Sequence, residues 1–380
     1  MHAETPATGP ASDERSPHDR SDPAVTFTAA ALAERVFAAA NESSYLAAIH
    51  IGRELGLYAA LRDGGPATSA DLAERTATDD RYTREWLEHQ AVGGLLAVED
   101  AAAGPPERRY QLPTGHAEAL LDHTSPYSSG PLAQFAVGMT ESLQHTIAAF
   151  RTGRGVPYDA YATCRIAQGE VNRPMFVHEL ATSWIAALPD VDRAFRQHGG
   201  RVADVACGTG WSSIELARAY PKLQVDGYDP DVPSIELARR NLGGSGVEDR
   251  VRFHAEDGRS ARSGERYDLV TILEAIHDMA RPVEVLANAR ALLASGGVAL
   301  IADEKVAHEF HAPADTLEQL MYGYSVLFCL PTAREEQPSA ATGTAIRPHT
   351  IQGYATQAGF SRVEVLPIAN DVWRFYLLTP

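Results

Sequence analysis

From Arg201 to Pro380, short apolar runs alternate with amphipathic helical stretches, and this alternation constrains the chain more than any other feature. Arg201–Ala206, Gln224–Tyr228, Val251–His254, Tyr267–Leu273 and Gly297–Asp303 read as strands, with helices over Ser212–Ala219, Val232–Leu242 and Pro282–Leu293. Repeated strand–helix–strand units mean parallel strands joined by crossovers, and so an α/β sheet covered by helices. The last two runs, Val363–Pro367 and Val372–Leu378, lie too close together for a crossover and predict an antiparallel hairpin at the sheet edge.

Open sheets of this kind bind ligands beyond the carboxyl ends of their strands. The first strand leads into Asp204-Val205-Ala206-Cys207-Gly208-Thr209-Gly210, and a helix starts at Ser212. Gly208 and Gly210 allow a tight turn and close approach to a ligand, and the helix N-terminus faces that ligand. Alone, such glycines fit a plain turn or a dinucleotide site. Asp229-Pro230 closes the second strand, about 20 residues on, where a carboxylate can accept both ribose hydroxyls. Glu256-Asp257-Gly258 follows the third strand, placed to meet an adenine amino group, and Glu274 follows the fourth. Asp204 would repel a pyrophosphate, whereas carboxylates suit the ammonium and sulfonium of S-adenosylmethionine (SAM).

Ahead of the sheet, from Phe27 to about Asp122, the periodicity is helical, as in Leu46, Ile49, Leu55, Leu57 and Leu61. Gly64-Gly65-Pro66 breaks it, a short helix opens near Thr68, and a second spans Tyr82–Gln90. Leu95–Val98 and Arg109–Leu112 then read as two strands about a Gly/Pro turn, which completes a winged-helix pattern. A DNA-reading helix carries Arg and Lys toward phosphates. Here Arg81 and Arg84 share their helix with Asp79, Asp80, Glu85 and Glu88, and the chain has a formal net charge of −17. The expectation is a dimerisation or scaffold role without nucleic acid. Residues 125–200 are helical with aromatic and methionine insertions such as Phe135, Met139, Trp184 and Phe176, which suit an interdomain core or the roof of a pocket for a flat ligand.

The expected organisation is a disordered tail over residues 1–24, rich in Pro, Ser, Asp and Ala, then a winged-helix domain over 25–124, a helical connector over 125–200 and a cofactor-binding domain over 201–380. Cys164, Cys207 and Cys329 are too scattered for a disulfide framework or a CxxC zinc site. No apolar run is long enough to span a bilayer, and no basic-then-apolar leader opens the chain, so the expected location is the cytoplasm, away from any membrane.

Through Asp204-x-Ala206-x-Gly208-x-Gly210, Tyr228-Asp229-Pro230-Asp231, Glu256-Asp257-Gly258 and the terminal strand pair, the chain resembles the class I SAM-dependent methyltransferases, whose sheet is Rossmann-like. Ala206 stands where that family often has its first glycine. The resemblance implies that Asp229 binds the ribose, Asp257 the adenine, and the Asp204–Gly210 loop, with Cys207, the methionine portion. Pro230, Glu256, Gly258 and Glu274 complete the expected cofactor contacts. With the winged-helix half included, the whole chain is similar to the two-domain small-molecule O-methyltransferases of bacteria and plants, which implies a homodimer built through the N-terminal domain.

The fourth strand ends Leu273-Glu274-Ala275-Ile276-His277-Asp278-Met279. An imidazole there could accept a phenolic or enolic proton at neutral pH, or it could be a hydrogen-bonding histidine at a strand end. In the O-methyltransferases a His-Asp-Trp stretch carries the general base; here His277 and Asp278 match and Met279 does not. The family's flanking acid corresponds to Asp303-Glu304, with Glu304 favoured. The expectation is therefore O-methylation of a hydrophobic or aromatic secondary metabolite with His277, Asp278 and Glu304 as catalytic residues and no metal. Three alternatives stay open. One is metal-assisted C-methylation of an α-keto acid, with His277-Asp278 joined by His349. The others are a SAM-binding enzyme that no longer methylates and a winged-helix regulator.

Overall fold

The computed structural model describes residues 27–261 and 266–380, so the expected tail over residues 1–24 lies outside the described residues. The N-terminal part comprises α1 (Ala29–Glu54), α2 (Leu57–Gly64), α3 (Ser69–Thr76), α4 (Asp80–Val92), the two-residue strands β1 (Ala97–Val98) and β2 (Tyr110–Gln111), and α5 (Thr114–Leu121). Thr68 opens α3 with a reciprocal capping box to Asp71, and the Asp79 side chain caps α4. Leu57, Tyr58, Leu72, Trp86, Leu87 and Tyr110 form its core. Trp86 reaches α1 because position 52 is glycine: a Cβ there would lie 2.3 Å from the indole.

The connector holds α6 (Gly130–Glu141), α7 (Leu143–Thr152), α8 (Ala162–His178), a π-helical turn (Leu180–Ile185) and α9 (Pro189–Gln197). The sheet domain follows with β3 (Gly200–Val205), α10 (Trp211–Ala219), β4 (Leu223–Tyr228), α11 (Val232–Leu242), β5 (Val251–His254), β6 (Tyr267–Leu273), α12 (Pro282–Leu292) and β7 (Leu293–Glu304). Then come α13 (Thr316–Tyr324), α14 (Leu330–Ala333), α15 (Pro348–Gln357), β8 (Arg362–Leu366) and β9 (Trp373–Thr379). Strand order is β5-β4-β3-β6-β7-β9-β8. The first five strands are parallel, and β9 runs antiparallel to both β7 and β8. The late hairpin therefore inserts its second strand between β7 and β8.

Both faces of the sheet are covered, which is why its strands read as nearly unbroken apolar runs. Val202, Val225, Leu269 and Leu300 pack on one face with Trp184, Phe195, Trp373 and Phe375. Ala203, Val270, Ile272 and Ile301 pack on the other with Leu286, Ile351 and Tyr376.

The apolar stretch Leu317–Leu330 reads from sequence as one helix, and the structure divides it. α13 stops at Tyr324, Ser325–Cys329 forms a π-helical turn, and α14 starts with Pro331 in its first turn. Proline has no N–H to bond the Leu327 carbonyl four residues back. That carbonyl instead accepts the Tyr161 hydroxyl at 2.9 Å, which ties the turn to the connector. Tyr161→Phe strands the carbonyl and is expected to cost about 1–2 kcal/mol, read from the midpoint of denaturant unfolding.

Candidate active site

A cavity of 660 Å³ opens beyond the carboxyl ends of β3, β4 and β6, walled by the loops after these strands, by one face of α8 and by residues 332–336. The α8 face presents Arg165, Gln168, Gly169, Asn172 and Phe176. Three- and four-residue spacing puts these side chains in one row. Gly169 lets the helix lie against the loop, since a Cβ there would lie 2.0 Å from the Thr209 hydroxyl.

Asp204 is buried at the end of β3, and its carboxylate accepts the hydroxyls of Ser212 (2.6 Å), Ser213 (2.7 Å) and Thr271 (2.8 Å). One side chain thus joins β3, α10 and β6 beneath the loop. Burial raises its carboxyl above the usual range, and the three hydroxyls act against that rise. Ala206, Gly208 and Gly210 all have positive φ, of 59°, 52° and 84°. A Cβ at Gly208 would meet nothing within 4 Å. At Gly210, which starts α10 in the left-handed region, a Cβ would strike Phe253 at 2.4 Å. Gly208 therefore leaves room on the cavity side, and Gly210 permits packing behind it.

Asp229 takes the Gly208 N–H at 3.0 Å and the Asp231 N–H at 2.9 Å. Burial pushes its carboxyl up to about 6, against those two backbone donors. Pro230 lies beside it on the wall. Asp257 and Gly258 also line the cavity, but the Asp257 carboxylate is held by Arg259 at 2.6 Å, and Arg259 reaches on to Glu336 at 2.7 Å. Glu256 is exposed and outside the wall. Sequence position alone brought it to the site; its side chain faces solvent.

Glu274 lines the cavity with a φ of 55°, and its carboxylate accepts the Asn172 amide. Asp278 also lines the cavity. His277 and Glu304 do not: they are 2% and 3% exposed and lie behind the wall. His277 Nδ1 donates to Asp303 at 2.6 Å, and its Nε2 lies 3.3 Å from Asp278 Oδ1. Burial opposes a charged ring, but the Asp303 and Asp278 carboxylates outweigh it and hold the imidazole well above its ordinary pKa. Of the residues expected to be catalytic, Asp278 lines the cavity, while His277 and Glu304 lie just behind its wall with the His277 ring oriented by Asp303.

Among the described residues, His277, Asp278 and Cys329 are the group whose donor atoms could hold a metal, all within 4.8 Å of one another. The thiol of Cys329 is pushed up to about 12 by burial, chiefly, and by Asp278. His349, the third ligand expected from sequence, is exposed on α15 and stands outside the cluster.

Sequence reasoning missed Arg165, Asn172 and Trp211, all on the cavity wall. Arg165 pairs with Asp231 at 2.6 Å, and the Arg173 guanidinium stacks 3.6 Å above the Trp211 ring. The α8 residues are of types common on solvent-facing helices, so the sequence carried no signal for them.

A family model for a methyltransferase domain matches residues 203–299. The chain carries a methyltransferase domain. A second model, for an Rv2258c-like winged HTH domain, matches residues 44–122. The chain is 29% identical over 121 residues to the ubiquinone biosynthesis O-methyltransferase of Stutzerimonas stutzeri, covering 32% of this chain and 49% of that protein. To the protein of the same description from Aromatoleum aromaticum the identity is 27% over 206 residues, 53% of this chain and 79% of that one. The ribosomal protein uL3 glutamine methyltransferase of Bradyrhizobium diazoefficiens is 36% identical over 70 residues, and the chain spans 22% of its length. The chain thus spans about half or less of several curated relatives. Solved structures match across both domains. Mitomycin 7-O-methyltransferase MmcR superposes with a TM-score of 0.66 at 19% identity, over 92% of this chain and 98% of that one. Human N-acetylserotonin methyltransferase in complex with SAM gives 0.65 at 18%, over 91% and 97%. At these identities the likeness is one of fold. It couples the methyltransferase domain to an N-terminal winged-helix region.

Proposed function

We propose that the chain is a SAM-dependent methyltransferase acting on a hydroxyl group of a small, largely apolar molecule. The observation that carries this reading is the cavity: a methyltransferase-domain loop with room at Gly208 meets the half-buried carboxylate of Asp229. The charges of the wall fit SAM better than a phosphorylated cofactor. Arg165, Arg259 and Arg281 line the cavity, and each is already paired with a carboxylate: Arg165 with Asp231, Arg259 with Asp257, Arg281 with Glu284. Bound here, SAM supplies a methyl group made electrophilic by its sulfonium. Asp229 holds the ribose hydroxyls, Gly208 gives the loop its close approach, and the wall around Gly258 takes the adenine. Phe176, Leu273 and Met279 give the acceptor apolar walls and exclude water.

Asp229 must be ionised to accept two hydroxyls. With its pKa near 6 in the free protein, SAM affinity is expected to hold at pH 7–8 and to fall as pH drops below about 6, by up to tenfold per unit. Isothermal titration calorimetry between pH 5 and 8 reads this directly, and a flat profile contradicts it. Release of S-adenosylhomocysteine with phenolic and hydroxyquinone acceptors tests the reaction. SAM binding without that product for any acceptor defeats the enzyme reading.

The chain acts as a homodimer. In support, the first half of α1 exposes Leu32, Val36 and Phe37, and Phe150 is also exposed. Leu32 and Val36, four residues apart, share one face of α1, and exposed apolar faces suit association. On α4, the cation Arg81 is paired with Glu85, which suits a scaffold better than a phosphate-reading helix. Light scattering is expected to give the mass of two chains, and Phe37→Asp to give that of one. No helix among the described residues is long and apolar enough to cross a membrane.

A further inference from the structure

We propose that Glu170 is a positioning residue for the cofactor: it holds the Trp211 indole against the methionine portion of SAM and, through His123, ties that part of the site to the end of the N-terminal domain. The inference rests on the methyltransferase reading above and adds two residues to its site. Three observations carry it: the place of Trp211, the use of both Glu170 oxygens, and the fastening of the segment after α5 to α8.

Trp211 is the first residue of α10, one position past Gly210, and it lines the cavity. Among the described residues it is the one tryptophan on that wall. The ribose lies at Asp229, at the end of the neighbouring strand, so the ring beside the loop faces the methionine portion. The ring is fixed on an edge and on a face. Its Nε1 donates to Glu170 Oε1 at 3.0 Å, and the Arg173 guanidinium covers one face at 3.6 Å. The single indole donor is thus engaged by a carboxylate outside the wall, and the cavity meets only the apolar part of the ring. That part suits the methylene chain of the cofactor and excludes water.

Glu170 follows Gly169 on α8, where the missing side chain lets the helix meet the loop. Its side chain is 18% exposed. Oε1 takes the indole N–H, while Oε2 takes His123 Nδ1 at 2.6 Å and Arg173 Nη1 at 3.4 Å. Arg173 stands three residues along the same helix, so one face of α8 both pairs with Glu170 and stacks on Trp211. Hydrogen bonds to an ionised carboxylate are the stronger kind. Such a set could serve only to join helices. Here one of its members is a wall of the cavity, so whatever moves Glu170 moves the shape that the cofactor meets.

His123 follows α5, the last helix of the N-terminal part. The next residue is fastened as well, since His178, at the end of α8, bonds the Thr124 carbonyl at 2.7 Å. Residues 123–124 are therefore held to α8 at its middle and at its end. A shift of the N-terminal domain reaches Glu170 through one hydrogen bond and Trp211 through a second. Contacts of this kind amount to coupling when the effects of their end residues are not additive.

The test uses the full-length protein, with SAM affinity by calorimetry, tryptophan fluorescence and thermal melting for each variant. SAM is expected to change the fluorescence of the wild type, and Trp211→Phe to abolish that change. A change that survives in the variant, or none in a wild type that binds SAM, overturns the placing of Trp211. Glu170→Ala strands the indole N–H and frees the ring, and should weaken SAM binding by about tenfold, the equivalent of one lost hydrogen bond. Glu170→Gln keeps an acceptor for the indole and should stay within about threefold of wild type. Equal affinity in wild type and Glu170→Ala overturns the positioning role, and so does a loss in Glu170→Gln as large as in Glu170→Ala. If Glu170→Ala does not fold, Trp211→Phe carries the same question, because it keeps a ring without the N–H; unchanged SAM affinity there overturns the role. His123→Ala should weaken SAM binding by about threefold in the wild-type background and by nothing further in Trp211→Phe. An equal loss in both backgrounds, or none in either, overturns the link to the N-terminal domain. If the wild type does not bind SAM, the methyltransferase reading fails. If it binds SAM and the variants match it, only the present inference fails.

Discussion

Asp229→Ala is expected to bind SAM about 10²–10⁴-fold more weakly while remaining folded, as read by calorimetry and circular dichroism. The size follows from what the carboxylate does. Hydrogen bonds to an ionised group contribute about 1.5–3 kcal/mol each, and two ribose hydroxyls depend on this one. The same oxygens also hold the N–H groups of Gly208 and Asp231, so the variant loosens the loop as well. Asp229→Asn is the finer probe. It keeps the shape and one acceptor, and should lie between wild type and alanine. Equal SAM affinity in wild type and Asp229→Ala would remove the ribose role.

The second large effect is on stability. Asp204→Ala removes the acceptor shared by Ser212, Ser213 and Thr271, three hydroxyls buried where β3, α10 and β6 meet. Each stranded donor costs about 1–3 kcal/mol, and re-pairing among the hydroxyls recovers part of it. A net loss of about 3 kcal/mol is expected, or roughly 6–12 °C in Tm for a domain of this size. SAM binding should fail with it, because the loop rests on this junction. Asp204→Asn offers one acceptor oxygen and faces a hydroxyl with its amide, so it should lose about half as much. A melting temperature unchanged in Asp204→Ala would mean that the hydroxyls find other partners.

Much of this architecture was legible in the sequence, and the reasons are physical. β6 stands where its apolar run placed it, because a strand buried on both faces leaves little freedom in composition, and α11 stands where its periodicity did. The glycines marked the loop because positive φ limits what can stand at positions 208 and 210. Local pattern said less about which way a side chain faces. His277 and Asp278 are neighbours in sequence, yet only Asp278 meets the cavity. Glu256 and Asp257 differ in the same way, one facing solvent and the other bound to an arginine two residues on. The pairing of His277 with Asp303 depends on two strands being adjacent in the sheet, which no local pattern reports. The row on α8 was hidden for another reason. Its residues are ordinary for a solvent-facing helix, and only the fold turns that face inward.

The place of β9 bears on how the protein fails. A chain shortened before Trp373 loses a strand from inside the sheet, because β9 lies between β7 and β8. β7 then presents a bare row of backbone donors and acceptors along a central apolar strand, and β8 has no neighbour left to pair with. Unpaired edges of this kind recruit other chains. Truncation is therefore expected to yield aggregates cleared by proteolysis, and not a soluble domain of lowered activity.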